Sequence, residues 1–130
     1  MAKVIGIGGL FFKSRDQGAL REWYGRVLGM AFADWGGVVF TPDMAAAQPG
    51  AATVFTSFKA DTDHFAPSDK EFMFNLMVDD LDAVLARCKL HGVEPLKLYP
   101  DEGMGRFAHI LDLEGRKIEL WEPKAMATEG

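Results

Sequence analysis

The sequence has a single cysteine, Cys88, so no disulfide can form within its 130 residues and the fold must stand on its core. It has no cluster of lysine or arginine: 14 basic residues are scattered among 19 acidic ones, for a net charge of −5. A surface of that sign repels phosphate backbones and anionic membranes, which excludes nucleic acid and lipid as expected partners. Long apolar runs are missing too. The most apolar stretch, "VIGIGGLFF", is too short to cross a bilayer, and no small-residue cleavage site follows it. "GIGG" lacks both the full phosphate-binding spacing and a helix directly after it, which excludes a dinucleotide site. With its lone thiol suited to a reducing compartment, the chain is expected to be soluble and cytoplasmic.

What the chain does have is apolar content, 48%, enough for one globular core. Two amphipathic helices stand out. Leu20, Trp23, Tyr24, Val27 and Leu28 fall on one stripe between Asp16 and Gly29, and Leu81, Val84, Leu85 and Cys88 do so between Asp79 and Gly92. Each opens near an Asp that can cap free N–H groups and closes on a Gly suited to the left-handed region. His91, at the end of the second helix, is favoured there as a cation or cap.

The two helices sit in the same setting, about 63 residues apart. "IGGLFFKS" and "EFMFNLMV" precede them. "MAFADW", "GVVFTP" and "ATVFTSF" follow the first, and "VEPLKLY", "RFAHILD" and "KIELWEP" the second. The expected fold is therefore α+β: two tandem β-α-β-β-β modules in one domain. Module one covers about 4–58, a linker 59–70, and module two 71–123, with "PDMAAAQPG" a loop inside the first and a frayed tail after Lys124. A single helix covers one face of a sheet, so two such units imply a curved eight-stranded sheet with a concave cavity and helices on its convex side.

"WYGRVLGM" at the end of the first helix and "DLEGRKIELWEP" near the end of the chain, set in this architecture, resemble the vicinal oxygen chelate superfamily. That group holds glyoxalase I, extradiol dioxygenases, fosfomycin-resistance enzymes and bleomycin-binding resistance proteins. The resemblance spans about Val4 to Pro123. For its metal-dependent enzymes it implies one metal ligand from the first strand and one from the fourth strand of each unit. Those positions hold Gly9 or Leu10, Phe55 and Met73 here, and Glu119 alone matches. A divalent-ion site needs about three protein ligands, so no metal cofactor is expected; were one present, it would be a single divalent ion near Glu119. The resemblance also implies a homodimer.

Glu119 lies in "RKIELWE", whose alternation reads as a strand. Asp112-Leu113-Glu114-Gly115 reads as a type I turn followed by a left-handed Gly, the three-residue hairpin loop. In that register His109 faces Glu119. Ala108, Ile110, Ile118 and Leu120 share the helix-facing side, and Phe107, His109, Glu119 and Trp121 share the other. Opposed Cβ atoms roughly 4.5–5.5 Å apart allow an imidazole–carboxylate hydrogen bond. The pair can be a satisfied structural pair in an aromatic cleft, a ligand-contact or acid–base pair, or part of a metal site with a third residue that spacing does not identify.

The same alternation turns Phe72, Phe74, Leu76 and Val78 toward the helix and Met73, Asn75 and Met77 toward the concavity. Trp35 and Phe55 are further candidates for an aromatic lining. Core packing is the competing reading for every one of these apolar residues. Cys88 sits on a helix stripe and reads as an inert core thiol. "DTDHF" brings Asp61, Asp63 and His64 together in the linker, as a solvated loop or a metal-binding one.

Three functions remain. The first is a site for a small organic molecule in the concave cavity, without the usual metal. It would either sequester its ligand or act as a metal-free enzyme through His109 and Glu119, with Phe107, Trp121, Met73, Asn75, Phe55 and Trp35 lining it. The second is a metal-dependent lyase or dioxygenase with an unorthodox ligand set. The third is a non-catalytic structural or regulatory dimer.

Overall fold

Side-chain caps set both long helices in the computed structural model, which describes residues 2–125. Helix α1 (Gln17–Leu28) starts where the Asp16 carboxylate accepts from the Ala19 N–H at 3.1 Å. It stops at Gly29, whose φ of 71° is the left-handed value glycine adopts without strain. A short helix α2 (Pro42–Ala46) forms inside the loop "PDMAAAQPG", with proline in its first turn, where the missing N–H costs nothing. Strand β1 (Phe74–Met77) leads to helix α3 (Leu81–Leu90), capped by Asp80, one residue later than the spacing suggested. Glu122 adds a second acceptor, taking the Leu81 N–H at 2.8 Å. Strands β2 (Lys97–Tyr99), β3 (Gly105–Leu111) and β4 (Lys117–Pro123) follow.

These four strands form a sheet in the order β1-β4-β3-β2. Strand β1 runs parallel to β4, and the other neighbours are antiparallel. The second half of the chain is thus the expected β-α-β-β-β unit. The first half departs from its expected one. Its helix forms, but "IGGLFFKS", "MAFADW", "GVVFTP" and "ATVFTSF" carry no strand pairing, so the eight-stranded sheet is not present in the single chain. The physical reason is local. A segment becomes a strand only when its N–H and C=O groups meet a partner edge, and β1 to β4 find theirs through two hairpins and one helical crossover. The first-half segments make one such bond, Ala33 N–H to the Gly37 carbonyl at 2.9 Å, but no ladder, and Val4, Ile5, Phe11, Val54 and Phe55 are left exposed.

Both long helices pack on one face of the sheet. Leu20, Trp23, Tyr24 and Val27 from α1 join Leu81, Val84 and Cys88 from α3 over Ala108, Ile110, Ile118 and Leu120, which are fully buried. Cys88 is inaccessible, and burial pushes its thiol pKa up, as befits an inert core group. Among the described residues no helix is long and apolar enough to cross a membrane.

The β3–β4 hairpin turn locks the two halves together. Asp112 N–H donates to the Arg116 carbonyl at 2.8 Å, and Gly115 takes a φ of 86°, the three-residue loop the sequence implied. The Asp112 carboxylate accepts from the Glu114 and Arg116 N–H groups, the Arg116 guanidinium and, at 2.7 Å, the Tyr24 hydroxyl. Burial beside that carboxylate pushes the Tyr24 phenol far above its ordinary range. Next to it, Glu114 accepts from the Ser14 hydroxyl, the Arg15 and Asp16 N–H groups and Arg116.

Burial alone would raise the Glu114 carboxyl, but those donors outweigh it and hold its pKa at about 2. A carboxyl depressed in the folded state adds stability above its ordinary value of 4.5, and that stability is lost as pH falls toward about 2. Denaturant unfolding of wild type and Glu114→Gln across that window should show a shallower acid loss in the variant. Parallel curves would mean that the turn does not hold this carboxylate.

Candidate functional site

The sheet face that the helices leave uncovered carries the site. In β3 and β4 the observed pairs are Phe107 with Trp121, His109 with Glu119 and Ile110 with Ile118, the register derived from the turn. His109 Nε2 lies 2.8 Å from Glu119 Oε2. On β1, Asn75 is the register partner of Glu119 and donates its Nδ2 to Oε1 at 2.8 Å. One carboxylate is therefore gripped from both neighbouring strands.

The two partners differ in exposure. His109 is 1% exposed, whereas the Glu119 side chain keeps 22% of its surface accessible. Burial by itself would lift the Glu119 carboxyl. Hydrogen bonds from His109 and Asn75, with the two imidazoles of His109 and His64 close by, hold it below the usual carboxylate range. The pair thus places a partly exposed carboxylate at a surface, backed by a buried imidazole. Glu119→Ala would leave His109 Nε2 buried without a partner, at a cost of about 1–3 kcal/mol. Thermal or denaturant unfolding checks this, and an unchanged stability would show the hydrogen bond to be absent.

Aromatic groups frame the pair. The Phe107 and Trp121 rings are parallel with centroids 5.8 Å apart, the offset geometry aromatic pairs favour, and the indole N–H donates to the Met104 carbonyl at 2.8 Å. Tyr99 on β2 packs against the His109 ring at 4.9 Å. Met73 is half-buried just ahead of β1. The remaining two candidates lie elsewhere. Phe55 is 91% exposed on a segment with no strand, and Trp35 is 73% exposed in a turn, so within one chain neither is drawn to the pair.

One linker residue, named in the sequence only beside Asp61 and Asp63, joins the pair. The linker folds back so that His64 meets the His109 ring edge-on, centroids 5.6 Å apart, and stacks on Phe58 at 5.0 Å. Lys117 fixes it there by donating its ammonium to the His64 carbonyl at 2.6 Å. The sequence signal was the isolated histidine in "DTDHF", but no spacing rule ties residue 64 to residues 109 and 119. His91 does not take part. It caps α3 and meets Arg26 at 3.1 Å.

The positions that the resemblance implies for a metal hold one conventional ligand. Gly9, Leu10 and Phe55 sit on unpaired segments, Met73 offers a weak thioether, and only Glu119 is a conventional ligand.

Comparison with solved structures finds likeness to TnmS3, an antibiotic binding protein from Streptomyces sp. CB03234. Identity is 22% over 84% of this chain and 88% of that one, with a TM-score of 0.49. TioX from Micromonospora sp. ML1 is similar at 16% identity over 88% of this chain and 94% of that one, also with a TM-score of 0.49. Likeness at this level says nothing of what this chain binds. A search of curated proteins finds no match. The family model of the Glyoxalase/Bleomycin resistance protein/Dioxygenase superfamily matches residues 10–120, nearly the whole chain, and the chain belongs to that superfamily.

Proposed function

We propose that this protein binds a small organic molecule on the open face of its sheet, with Glu119 and His109 as the polar anchor. The observation that carries the reading is the juxtaposition of a partly exposed, hydrogen-bonded carboxylate with a parallel aromatic pair on the face the helices leave free. Such a mix of apolar wall and few fixed polar groups is what small-molecule sites use. Flat, partly aromatic compounds with a hydroxyl or cationic group match it best: the rings offer π surface and Glu119 accepts a proton or a positive charge.

The working form is a cytoplasmic homodimer. The unpaired first-half segments are rich in exposed apolar residues, which are costly to leave in water, and pairing them would build module one and complete the eight-stranded cavity. In that form Phe55, Trp35 and Met73 line the cavity beside Asn75, Phe107 and Trp121. Binding needs no metal at the superfamily's usual position. Where turnover accompanies binding, His109 and Glu119 act as a metal-free acid–base pair. A lyase or dioxygenase built on the usual ligand set would need donors that Gly9, Leu10 and Phe55 cannot supply, and a purely structural dimer would give the partly exposed Glu119 no task.

The test is NMR mapping with a panel of hydroxylated and cationic polycyclic aromatic compounds. Binding compounds should shift resonances of Phe107, His109, Glu119 and Trp121 and leave the exposed faces of α1 and α3 unchanged. Shifts confined to other surfaces, or none across the panel, would overturn the reading. Sedimentation at micromolar concentration tests the dimer, which a monomer would remove.

A further inference from the structure

The open face holds a second kind of chemistry, carried by the residue from the linker. Each of His64, His109 and Glu119 offers one ligand atom, and these atoms all lie within 4.8 Å of one another. We propose that these three side chains bind one divalent transition-metal ion, with a ligand set that shares only Glu119 with the positions the resemblance implies and takes His64 and His109 from outside them. The proposal stands on this cluster and not on the small-molecule reading, so either can fail alone.

Two imidazole nitrogens and one carboxylate oxygen suit zinc, cobalt, nickel or ferrous iron, and suit calcium or magnesium poorly. The surrounding contacts are those a metal site uses to orient its ligands. Asn75 holds Glu119 Oε1, which leaves Oε2 turned to the histidines. His64 is tethered through both its backbone groups: its carbonyl accepts from Lys117, and its N–H donates to Thr62 Oγ1 at 3.1 Å. Phe58 and Tyr99 pack on the two imidazoles and limit water. His109 Nδ1 is buried with no hydrogen-bond partner, so packing against Tyr99 and the β3 backbone, and no second hydrogen bond, orients that ring.

The geometry must adjust on binding. Zinc–nitrogen bonds of about 2.1 Å in a tetrahedral site put donor atoms roughly 3.4 Å apart. The His109–Glu119 contact at 2.8 Å is a hydrogen bond, and it opens by about half an ångström as the shared proton leaves. His64, on an irregular and half-buried segment, closes the remaining distance more easily than a strand residue could. The Lys117 ammonium works against a cation here, so affinity should be below that of a triad with acidic neighbours.

The probe is zinc or cobalt alone, added to tag-free protein stripped with chelator and then freed of it. Calorimetry should give about one equivalent of zinc per chain, and cobalt should develop the visible absorption of a low-coordinate site. His64→Ala should weaken zinc binding by at least about tenfold, whereas His91→Ala should leave it unchanged. NMR of the wild type supplies a readout independent of any variant's folding: zinc should shift the imidazole signals of His64 and His109 but not those of His91. Absence of saturable binding, equal affinity in His64→Ala, or imidazole shifts confined to His91 would overturn the proposal.

Discussion

Asp112→Ala should lower stability by about 3–5 kcal/mol, the range for removing one partner of a buried ion pair. Asp112 and Arg116 are both buried, and the Asp112 carboxylate also receives the Tyr24 hydroxyl and two backbone N–H groups. Its removal leaves the Tyr24 hydroxyl without its acceptor and takes from the buried Arg116 guanidinium one of its two carboxylate partners. The neighbouring Glu114 retains one guanidinium bond, which sets a floor under Arg116 but gives Tyr24 nothing. Since a domain of this size has about 5–15 kcal/mol in hand, the variant should be marginal or unfolded at 37 °C. Denaturant unfolding measures it. A loss below about 1 kcal/mol would mean that the hairpin turn is solvated and does not dock on α1.

Trp121→Ala should cost a similar amount, about 3–5 kcal/mol, for a different reason. The ring is buried against Phe107 and lies on the strand that pairs with both β1 and β3, so truncation leaves a cavity on the site side of the sheet. Trp121→Phe separates packing from hydrogen bonding only in part. It keeps an aromatic ring beside Phe107 but loses the donor to the Met104 carbonyl and part of the buried indole volume, so it should cost more than the hydrogen bond's about 0.5–1.5 kcal/mol and less than Trp121→Ala. Equal losses in the two variants, measured by thermal or denaturant unfolding, would contradict a wall held mainly by packing.

These two residues show which parts of the structure were legible in the sequence. The β3–β4 register could be read because it is a local matter: a turn that puts Gly115 in the left-handed region fixes which residues face each other, and alternation sorts them by face. From that register alone His109 meets Glu119, as observed at 2.8 Å. The long helices were equally local, set by Asp16 and Asp80 at one end and by glycine at the other. The early β segments follow another rule. "GVVFTP" and "ATVFTSF" have strand composition, but composition does not supply a partner edge, and within one chain they find none.

His64 was illegible for a related reason. Its position depends on how the linker folds back over the sheet, which Lys117 and the aromatic rings of Phe58 and His109 decide, all of them distant in sequence or unremarkable within it. Asn75 could be placed on the correct face by alternation, yet its bond to Glu119 required knowing that β1 lies beside β4. Faces follow from period, whereas neighbours follow from topology.

Glu119 is the anchor of the proposed small-molecule site, and one substitution separates that role from a structural one. Glu119→Gln keeps the shape of the side chain and one acceptor for Asn75, but removes the charge and turns the second acceptor into a donor, which neutral His109 can meet in its other tautomer. Calorimetric affinity for a compound located by the NMR mapping, measured with chelator present to exclude metal, should fall by at least about tenfold (1.4 kcal/mol). The circular dichroism spectrum and oligomeric state of the variant should match the wild type. Undiminished affinity in a folded Glu119→Gln protein would contradict the account and leave His109–Glu119 a structural pair alone.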